Sequence, residues 1–317
     1  MWAAAARPAV VSRQRPTPES AMNQLEQNYN RVVRQEDVVS EFLAGTQIEI
    51  VRPPQQKHAP EHVLFDFDGT LSLVREGWPE VMVPMMVEQL QATGTAESAE
   101  ELSQVALKFI MELNGKQTIY QMMRLADEIT QRGGSPQPPL EYKHMYHERL
   151  MKRIHSRREE LRTGKLPADA MLVPGSVALL TTLQEKGASL YLASGTDENY
   201  VKEEVELLGL TDYFGDHIYG AVDDFKSFSK AQVIERILKT HQVEGAKLLG
   251  FGDGYVEIQN IKSVGGTAVA VASDEANRSG KPDAWKRDRL IGVGADIVIP
   301  DFAESDRLIQ YIWGTEK

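Results

Sequence analysis

The sequence predicts an α/β protein with a doubly wound parallel sheet and one inserted all-helical segment. From residue 172 onward, short apolar runs alternate with helical segments of about ten residues, the pattern of parallel strands joined by crossover helices. Between residues 75 and 168, helical periodicity replaces all strand signals. The predicted core therefore comprises residues 61–74 and 169–317, with the helical cap at 75–168 and an N-terminal extension at 1–60.

The first core strand is predicted at residues 63–67, a short run that is apolar on both faces. Asp66 and Asp68 stand two residues apart at its end, so their side chains point to the same side. Gly69 follows and allows a sharp turn of the backbone, with Thr70 next. Two carboxylates at the carboxyl edge of a parallel sheet lie where α/β proteins place their binding sites.

Four helices are predicted in the cap. Pro79 stands at a helix-opening position, and Gly133 with Gly134 ends the third helix. The predicted spans are residues 79–91, 98–113, 117–131 and 140–162.

The rest of the core alternates helices and strands. Helices are predicted at residues 176–186, 199–208, 230–240 and 256–263, and strands at residues 189–193, 218–219, 247–251, 267–272 and 297–299. Ser229 is expected to cap the helix that begins at residue 230. Right-handed crossovers would bring the strand ends at Asp66, Ser194 and Asp253 to the same edge of the sheet.

Composition limits the possible partners. The chain has 317 residues, no cysteine and a formal net charge of −11, so disulfides and thiolate metal sites are excluded and nucleic acid should be repelled. No apolar run approaches the ~18 residues that span a bilayer. We therefore expect a partner that is a small molecule, and neither nucleic acid nor membrane. The oligomeric state stays open.

The N-terminal extension is expected to be accessory. A helix is predicted at residues 22–43, with apolar residues at helical spacing and Gly45 as its stop. A Pro-rich linker at residues 52–61 leads into the first core strand. Residues 1–18 contain no acid and are rich in Ala, Arg and Pro. They are interpreted as a disordered tail of a cytoplasmic protein, with an organelle presequence as the alternative.

Each predicted strand end carries a different chemical group. Ser194 supplies a hydroxyl, and the backbone N–H groups of Gly195 and its successor lie near a helix start, where phosphate binds readily. Asp253 and Glu257, one helical turn apart, add carboxylates to those of the first strand. Clustered carboxylates favour Mg²⁺, particularly where phosphate completes its coordination shell. With Lys230 at a helix start, these groups suit phosphoryl transfer.

The order of these groups resembles the haloacid dehalogenase superfamily of phosphohydrolases. Its first motif, DxDGT, is matched by residues 66–70, and its fourth, GDxxxD, by residues 252–257 with glutamate as the final acid. Ser194 matches the second motif and Lys230 the third, with Lys226 as the alternative. The cap resembles that of the subfamily containing phosphoglycolate phosphatase and β-phosphoglucomutase. The resemblance implies a Rossmann-like core over roughly residues 62–303.

The resemblance also implies roles for these residues. Asp66 would attack phosphorus and form an aspartyl-phosphate, and Asp68 would move the protons of both steps. Mg²⁺ would be held by a carboxylate oxygen of Asp66, the backbone carbonyl of Asp68, and Asp253, with the role of Glu257 open. The phosphoryl oxygens would be bound by a larger set of residues, namely Gly69, Thr70, Ser194, Gly195 and Lys230.

Substrate contacts are expected from four residues near the mouth of the site. Arg75 and Trp78 follow the first motif closely, and Lys116 and Gln117 occupy a helix connection in the cap. Because cap loops set the substrate, the sequence predicts only a Mg²⁺-dependent phosphatase of a small phosphorylated metabolite, such as a sugar or short acid phosphate.

Three alternatives remain open. A phosphomutase would use the same residues, and a non-catalytic scaffold would use the extension and the cap as binding surfaces. The third alternative is an oxidoreductase. Residues 250–254, with Asp274 about twenty residues later, are similar to a dinucleotide-binding fingerprint. Its third glycine is misplaced, and Asp253 would set a negative charge where a pyrophosphate should bind.

Overall fold

The computed structural model describes residues 31–54, 59–242 and 244–314. The predicted tail and the start of the predicted helix at residues 22–43 lie outside these described residues. Within them, no helix is long and apolar enough to cross a membrane.

A single mixed sheet forms the centre of the described part of the chain. In chain order its strands are β1 (Glu41–Phe42), β2 (Glu49–Ile50), β3 (His62–Phe65), β4 (Ser189–Asp197), β5 (Ile218–Ala221), β6 (Leu248–Gly252), β7 (Thr267–Val271) and β8 (Ile297–Ile299). Their spatial order is β1-β2-β8-β7-β6-β3-β4-β5. Strands β3 to β8 run parallel, and β1 and β2 add an antiparallel hairpin at one edge. The predicted doubly wound sheet is confirmed.

Strand β3 lies between β4 and β6 and is wholly buried, as are β6 and most of β4. The register pairs Phe65, the last residue of β3, with Leu192 on β4 and with Phe251 on β6. Asp66, Ser194 and Asp253 each follow within two residues of these positions. The three strand ends therefore converge at the carboxyl edge of the sheet.

Four helices occupy the predicted cap segment: α1 (Pro79–Gln91), α2 (Ala99–Glu112), α3 (Thr118–Gln131) and α4 (Pro139–Arg162). Helix α2 begins with a capping box in which Ser98 and Glu101 satisfy each other's backbone N–H groups. Met82, Met85 and Met122 are buried in the hydrophobic core that the helices share. The predicted spans agree with the observed helices to within about one residue.

Seven helices flank the sheet in the described core: α5 (Ser176–Glu185), α6 (Glu198–Leu207), α7 (Thr211–Phe214), α8 (Lys230–His241), α9 (Tyr255–Ser263), α10 (Ala284–Gly292) and α11 (Ser305–Trp313). Short 3₁₀ turns occupy Gln35–Asp37, Ala168–Met171 and Gly245–Lys247. Ser229 caps α8 as predicted, since its hydroxyl accepts the backbone N–H of Gln232. Helices α7, α10 and α11 were not predicted.

The predicted helix at residues 22–43 is wrong over its described part. Residues 31–43 contain a 3₁₀ turn and strand β1 instead. The apolar side chains that suggested a helix face are exposed, at 63% for Val32, 85% for Val39 and 57% for Phe42. Without a buried face, helical periodicity gains little stability, and the chain pairs with the edge of the sheet.

The edge hairpin is joined to the core by an ion pair. Glu49 is wholly buried, and its carboxylate accepts hydrogen bonds from the Arg287 guanidinium on α10, at 2.6 Å from Nε to Oε2. Burial alone would raise the pKa of Glu49, but Arg287 and Ser40 hold it below its ordinary value. The sequence pattern contained no sign of this long-range pair.

Gly175, directly before α5, offers a test of the core packing. Its φ is +83°, and a Cβ there would lie 2.7 Å from the backbone nitrogen of Ala303 and closer still to the carbonyl of Phe302. We predict that Gly175→Ala lowers the free energy of unfolding by about 2–5 kcal/mol, through left-handed strain and overpacking.

Gly187→Ala is the matched control, because Gly187 has φ +77° and no atom within 4 Å of the added methyl group. Its expected cost is only about 1–2 kcal/mol. Urea unfolding curves of both variants give the comparison. Equal losses would contradict the packing of α5 against residues 302–303.

Candidate active site

Asp66 lies at the bottom of the site and is paired with a lysine. Lys230, at the start of α8, brings its Nζ to 2.7 Å from Oδ1 of Asp66 and also contacts the Glu257 carboxylate. All three residues are buried. Burial raises the pKa of Asp66 to about 6; Lys230 opposes this shift, and repulsion from Asp253 adds to it.

The structure distinguishes the two candidate lysines. Lys226 is exposed, and its ammonium lies 5.9 Å from the ring centroid of Phe225. Lys230 is the lysine that reaches Asp66 because Ser229 caps α8 and directs the first turn of the helix at the strand ends.

Asp68 is surrounded by hydrogen-bond donors. The hydroxyls of Thr196 and Ser194 donate to its Oδ2, at 2.8 and 3.3 Å. The Nε atom of Arg75 lies 3.7 Å from its Oδ1. Removal from bulk water raises the pKa of Asp68, and Arg75 opposes this. A carboxyl group with a raised pKa is suited to donate a proton.

Strand β4 is longer than predicted, and this extension shapes the site. It continues to Asp197, with an irregular register against β5 between Ala193 and Asp197. Ser194, Gly195 and Thr196 therefore line the pocket from the strand itself. Ser194 and Gly195 are where the second motif predicted them, and Thr196 contributes a hydroxyl that was not predicted.

Asp253 lies opposite Asp66 and is held by groups that sequence reasoning missed. Its Oδ2 is 2.9 Å from Nζ of Lys286, which also pairs with Glu275 at 2.7 Å and donates to the Ser273 hydroxyl. Burial alone would lower the pKa of Lys286, but the two carboxylates raise it overall. Lys286 thus provides a second buried positive charge.

Gly69 and Thr70 support Asp253 and do not line the pocket. The Thr70 hydroxyl accepts the backbone N–H of Asp253 at 3.0 Å and lies 3.4 Å from Oδ1 of Asp253. Gly69 has φ +75°, and a Cβ there would lie 2.8 Å from Cγ of Asp253. Neither residue is among those that line the pocket, and their predicted contact with phosphate stays a prediction.

The carboxylates of the site are the candidate ligands of a divalent cation. Within the described ranges, no group of three or more His, Asp or Glu side chains lies close enough to hold a metal ion. The structure divides the four predicted ligands: Asp68 faces hydroxyls, Glu257 faces Lys230, and Asp66 and Asp253 repel each other. Asp66 and Asp253 are hard oxygen donors. Such a pair fits Mg²⁺, which keeps several waters and binds proteins through one or two carboxylates.

The cap covers part of the site. The loop at Gly115 packs on the core, where an added Cβ would lie 3.1 Å from Cα of Gly254. Arg75, Trp78 and Lys116 line the resulting cavity of about 90 Å³, as predicted for substrate contacts.

Gln117 lies outside this cavity. Its amide donates to the carbonyls of Phe228 and Phe225, at 2.8 and 3.2 Å. It therefore joins the cap loop to the loop before α8, and its predicted contact with substrate stays a prediction.

Two signals could have located the missed residues. Asp283 caps α10 by accepting the backbone N–H of Lys286, and an aspartate three residues before a lysine is a recognisable helix start. Thr196 follows Ser194 by two residues and so shares its face of the strand. Glu204, which pairs with Arg75, had no sequence signal because the two residues are far apart in the chain.

Solved structures with similar folds cover most of the chain. A family IA, variant 3 HAD hydrolase from Entamoeba histolytica matches 80% of this chain and 99% of its own, with a TM-score of 0.53 and 18% identity. For a predicted phosphatase from Clostridium acetobutylicum the coverages are 80% and 98%, the TM-score 0.52 and the identity 19%. β-Phosphoglucomutase from Clostridium difficile matches 80% of this chain and 99% of its own, with a TM-score of 0.51 and 13% identity. At these identities the likeness establishes the fold.

Family membership follows from the sequence itself. No curated protein sequence matches the chain. A family model for haloacid dehalogenase-like hydrolases matches residues 60–265, well over half of the chain, and this range contains the aspartates of the first motif, Ser194, Lys230 and Asp253. The chain therefore belongs to the haloacid dehalogenase-like hydrolases.

Proposed function

We propose that this hydrolase is a Mg²⁺-dependent phosphatase that acts on a small phosphorylated metabolite through an aspartyl-phosphate. The proposal rests on one observation: two carboxylates in the same pocket have different partners. Asp66 is ion-paired with Lys230, and Asp68, two residues later, is surrounded by hydroxyl donors. Lys230 thus favours the ionised form of Asp66, and Asp68 is placed to exchange a proton.

In the first step, a carboxylate oxygen of Asp66 attacks phosphorus and the bond from phosphorus to the leaving oxygen breaks. Lys230 favours the ionised nucleophile and lies where it can neutralise charge on the phosphoryl oxygens. Asp68 gives its proton to the leaving oxygen, so the leaving group departs as an alcohol and not as an alkoxide. Ser194 and the backbone of Gly195 line the pocket where the phosphoryl group would bind.

In the second step, Asp68 takes a proton from water, and the water oxygen attacks the phosphorus of the aspartyl-phosphate. The bond between phosphorus and the Asp66 oxygen breaks, which releases phosphate and restores the carboxylate. Thr196 and Ser194 hold Asp68 in one orientation through both proton transfers. The cap over the pocket would limit access of water until the alcohol has left.

Mg²⁺, held by Asp66, Asp253 and the backbone carbonyl of Asp68, would neutralise charge on the phosphoryl group and on the two carboxylates. The raised pKa of Asp66, part of which comes from Asp253, supports this assignment because a bound cation would relieve the repulsion. Lys286 supports Asp253 from the side of Glu275.

The proposed activity is tested by phosphate release from a panel of small phosphorylated metabolites. We predict that Asp68→Asn slows release by roughly 100- to 10,000-fold, because the proton donor and acceptor is lost. Asp212→Asn, which changes an exposed aspartate on α7, should leave the rate unchanged.

Three results are informative beyond this comparison. Equal rates for Asp68→Asn and wild type would contradict the assigned role. No release by wild-type enzyme from any substrate would contradict the proposed activity and favour a scaffold. Release that requires a bisphosphate activator would favour a phosphomutase.

The metal assignment gives a second prediction. After removal of divalent ions with EDTA, activity should return with Mg²⁺. Asp253→Asn should raise the Mg²⁺ concentration for half-maximal activity by about tenfold or more. Glu257→Gln should lower the rate without shifting this concentration, since Glu257 contacts Lys230. A larger shift for Glu257→Gln than for Asp253→Asn would overturn the assignment.

A further inference from the structure

Arg75 is held in the wall of the active site by a buried carboxylate. Its Nε and Nη2 donate to the two oxygens of Glu204 on α6, at 3.0 and 2.9 Å. Glu204 is completely buried and Arg75 almost so. Burial alone would lower the pKa of Arg75, but Glu204 and Asp68 raise it overall. A two-pronged pair of this kind fixes the plane of the guanidinium.

The same guanidinium lies beside the proton donor. Its Nε is 3.7 Å from Oδ1 of Asp68, and the residue lines the cavity. Glu204 uses Nε and Nη2, so Nη1 has no hydrogen-bond partner among residues 31–54, 59–242 and 244–314. Because Asp68 must contact the leaving oxygen, the free donors of Arg75 lie next to the leaving group.

Lys116 adds a second cation from the cap. It is partly buried and lines the cavity, and its Nζ lies 5.4 Å from the ring centroid of Tyr120. Burial lowers its pKa, and no carboxylate of the described chain forms an ion pair with it. An ammonium group withdrawn from water without a counter-ion is unfavourable, and an anionic ligand would relieve this cost.

The leaving-group side of the cavity therefore presents cationic side chains. Among its described lining residues outside the strand ends and Lys230, only Arg75 and Lys116 are charged. The others are neutral: Trp78, Met82, Asn114, Gly115, Thr118, Gln121 and Tyr146. Glu204 lies behind Arg75, with none of its surface exposed. A cationic leaving group would find no carboxylate on this wall, whereas an anionic one would meet two cations.

We propose that the substrate is a phosphomonoester whose leaving alcohol carries a second anionic group, bound by Arg75 and Lys116, with Glu204 as the positioning residue of Arg75. This specificity rests on the phosphatase activity proposed above. Both a carboxylate and a second phosphate have the required chemistry.

A series of two-carbon phosphomonoesters tests the proposal. Phosphoglycolate, 2-hydroxyethyl phosphate and phosphoethanolamine carry an anionic, a neutral and a cationic group at the same position, and ethylene glycol bisphosphate supplies the second phosphate. We expect wild-type kcat/KM to favour the anionic members over the neutral one by about tenfold or more, with the cationic one lowest. The better of the two anionic compounds identifies the group.

Substitutions of Arg75, Lys116 and Glu204 test whether these residues cause the preference for anionic substrates. Arg75→Gln and Lys116→Gln should each reduce the ratio of kcat/KM for the anionic over the neutral substrate by about tenfold. Glu204→Gln, which keeps the shape and removes the charge, should lower the same ratio mainly through KM. Arg153→Gln is the matched control, since Arg153 forms an exposed pair with Glu80, and it should leave the ratio unchanged.

Several outcomes would overturn the proposal. A wild-type enzyme without preference, or one that prefers the neutral or cationic ester, would do so while leaving the phosphatase activity intact. So would an Arg75→Gln variant that loses activity equally on all esters. If that variant unfolds because Glu204 is left unpaired, the ratio of kcat/KM measured for Lys116→Gln tests the proposal in its place. Failure to hydrolyse any ester, p-nitrophenyl phosphate included, would overturn the proposed activity itself and this specificity with it.

Discussion

The ammonium group of Lys230 lies between the carboxylates of Asp66 and Glu257, and all three side chains are buried. A buried carboxylate alone would take up a proton and lose its value as a nucleophile. The lysine makes it possible to keep Asp66 ionised in a closed pocket, and Glu257 in turn fixes the lysine. Glutamate at the last position of the fourth motif therefore contacts the lysine, and the proposed Mg²⁺ site uses Asp253.

The same principle is repeated around the pocket. Lys286 balances Asp253 and Glu275, and Glu204 balances Arg75, so each buried charge has an opposite partner. Lys116 also lines the pocket but forms no ion pair with a described residue, so an anionic group of the substrate is its proposed partner. Paired charges of this kind hold their positions without reorganisation during the reaction, and such preorganisation is a main source of transition-state stabilisation.

The sequence predicted those parts of the fold and site that depend on local spacing. A few neighbouring residues are enough to identify the DxDGT run, Ser194 at a strand end and Lys230 after its cap. The register of β3, β4 and β6 brings these residues together. The pairs of Lys286 and Glu204 join residues far apart in the chain, and no local pattern encodes them. The helix predicted at residues 22–43 failed because periodicity alone does not show whether a face is buried.

The central claim is that Asp66 becomes phosphorylated. Wild-type enzyme should be mixed with substrate, quenched within one turnover and treated with borohydride, which reduces an aspartyl-phosphate to homoserine. Mass spectrometry of the peptide that contains residue 66 should then show homoserine at Asp66, in an amount that follows the course of the reaction. Phosphate release with Asp66 unmodified, or modification at another residue, would contradict the account.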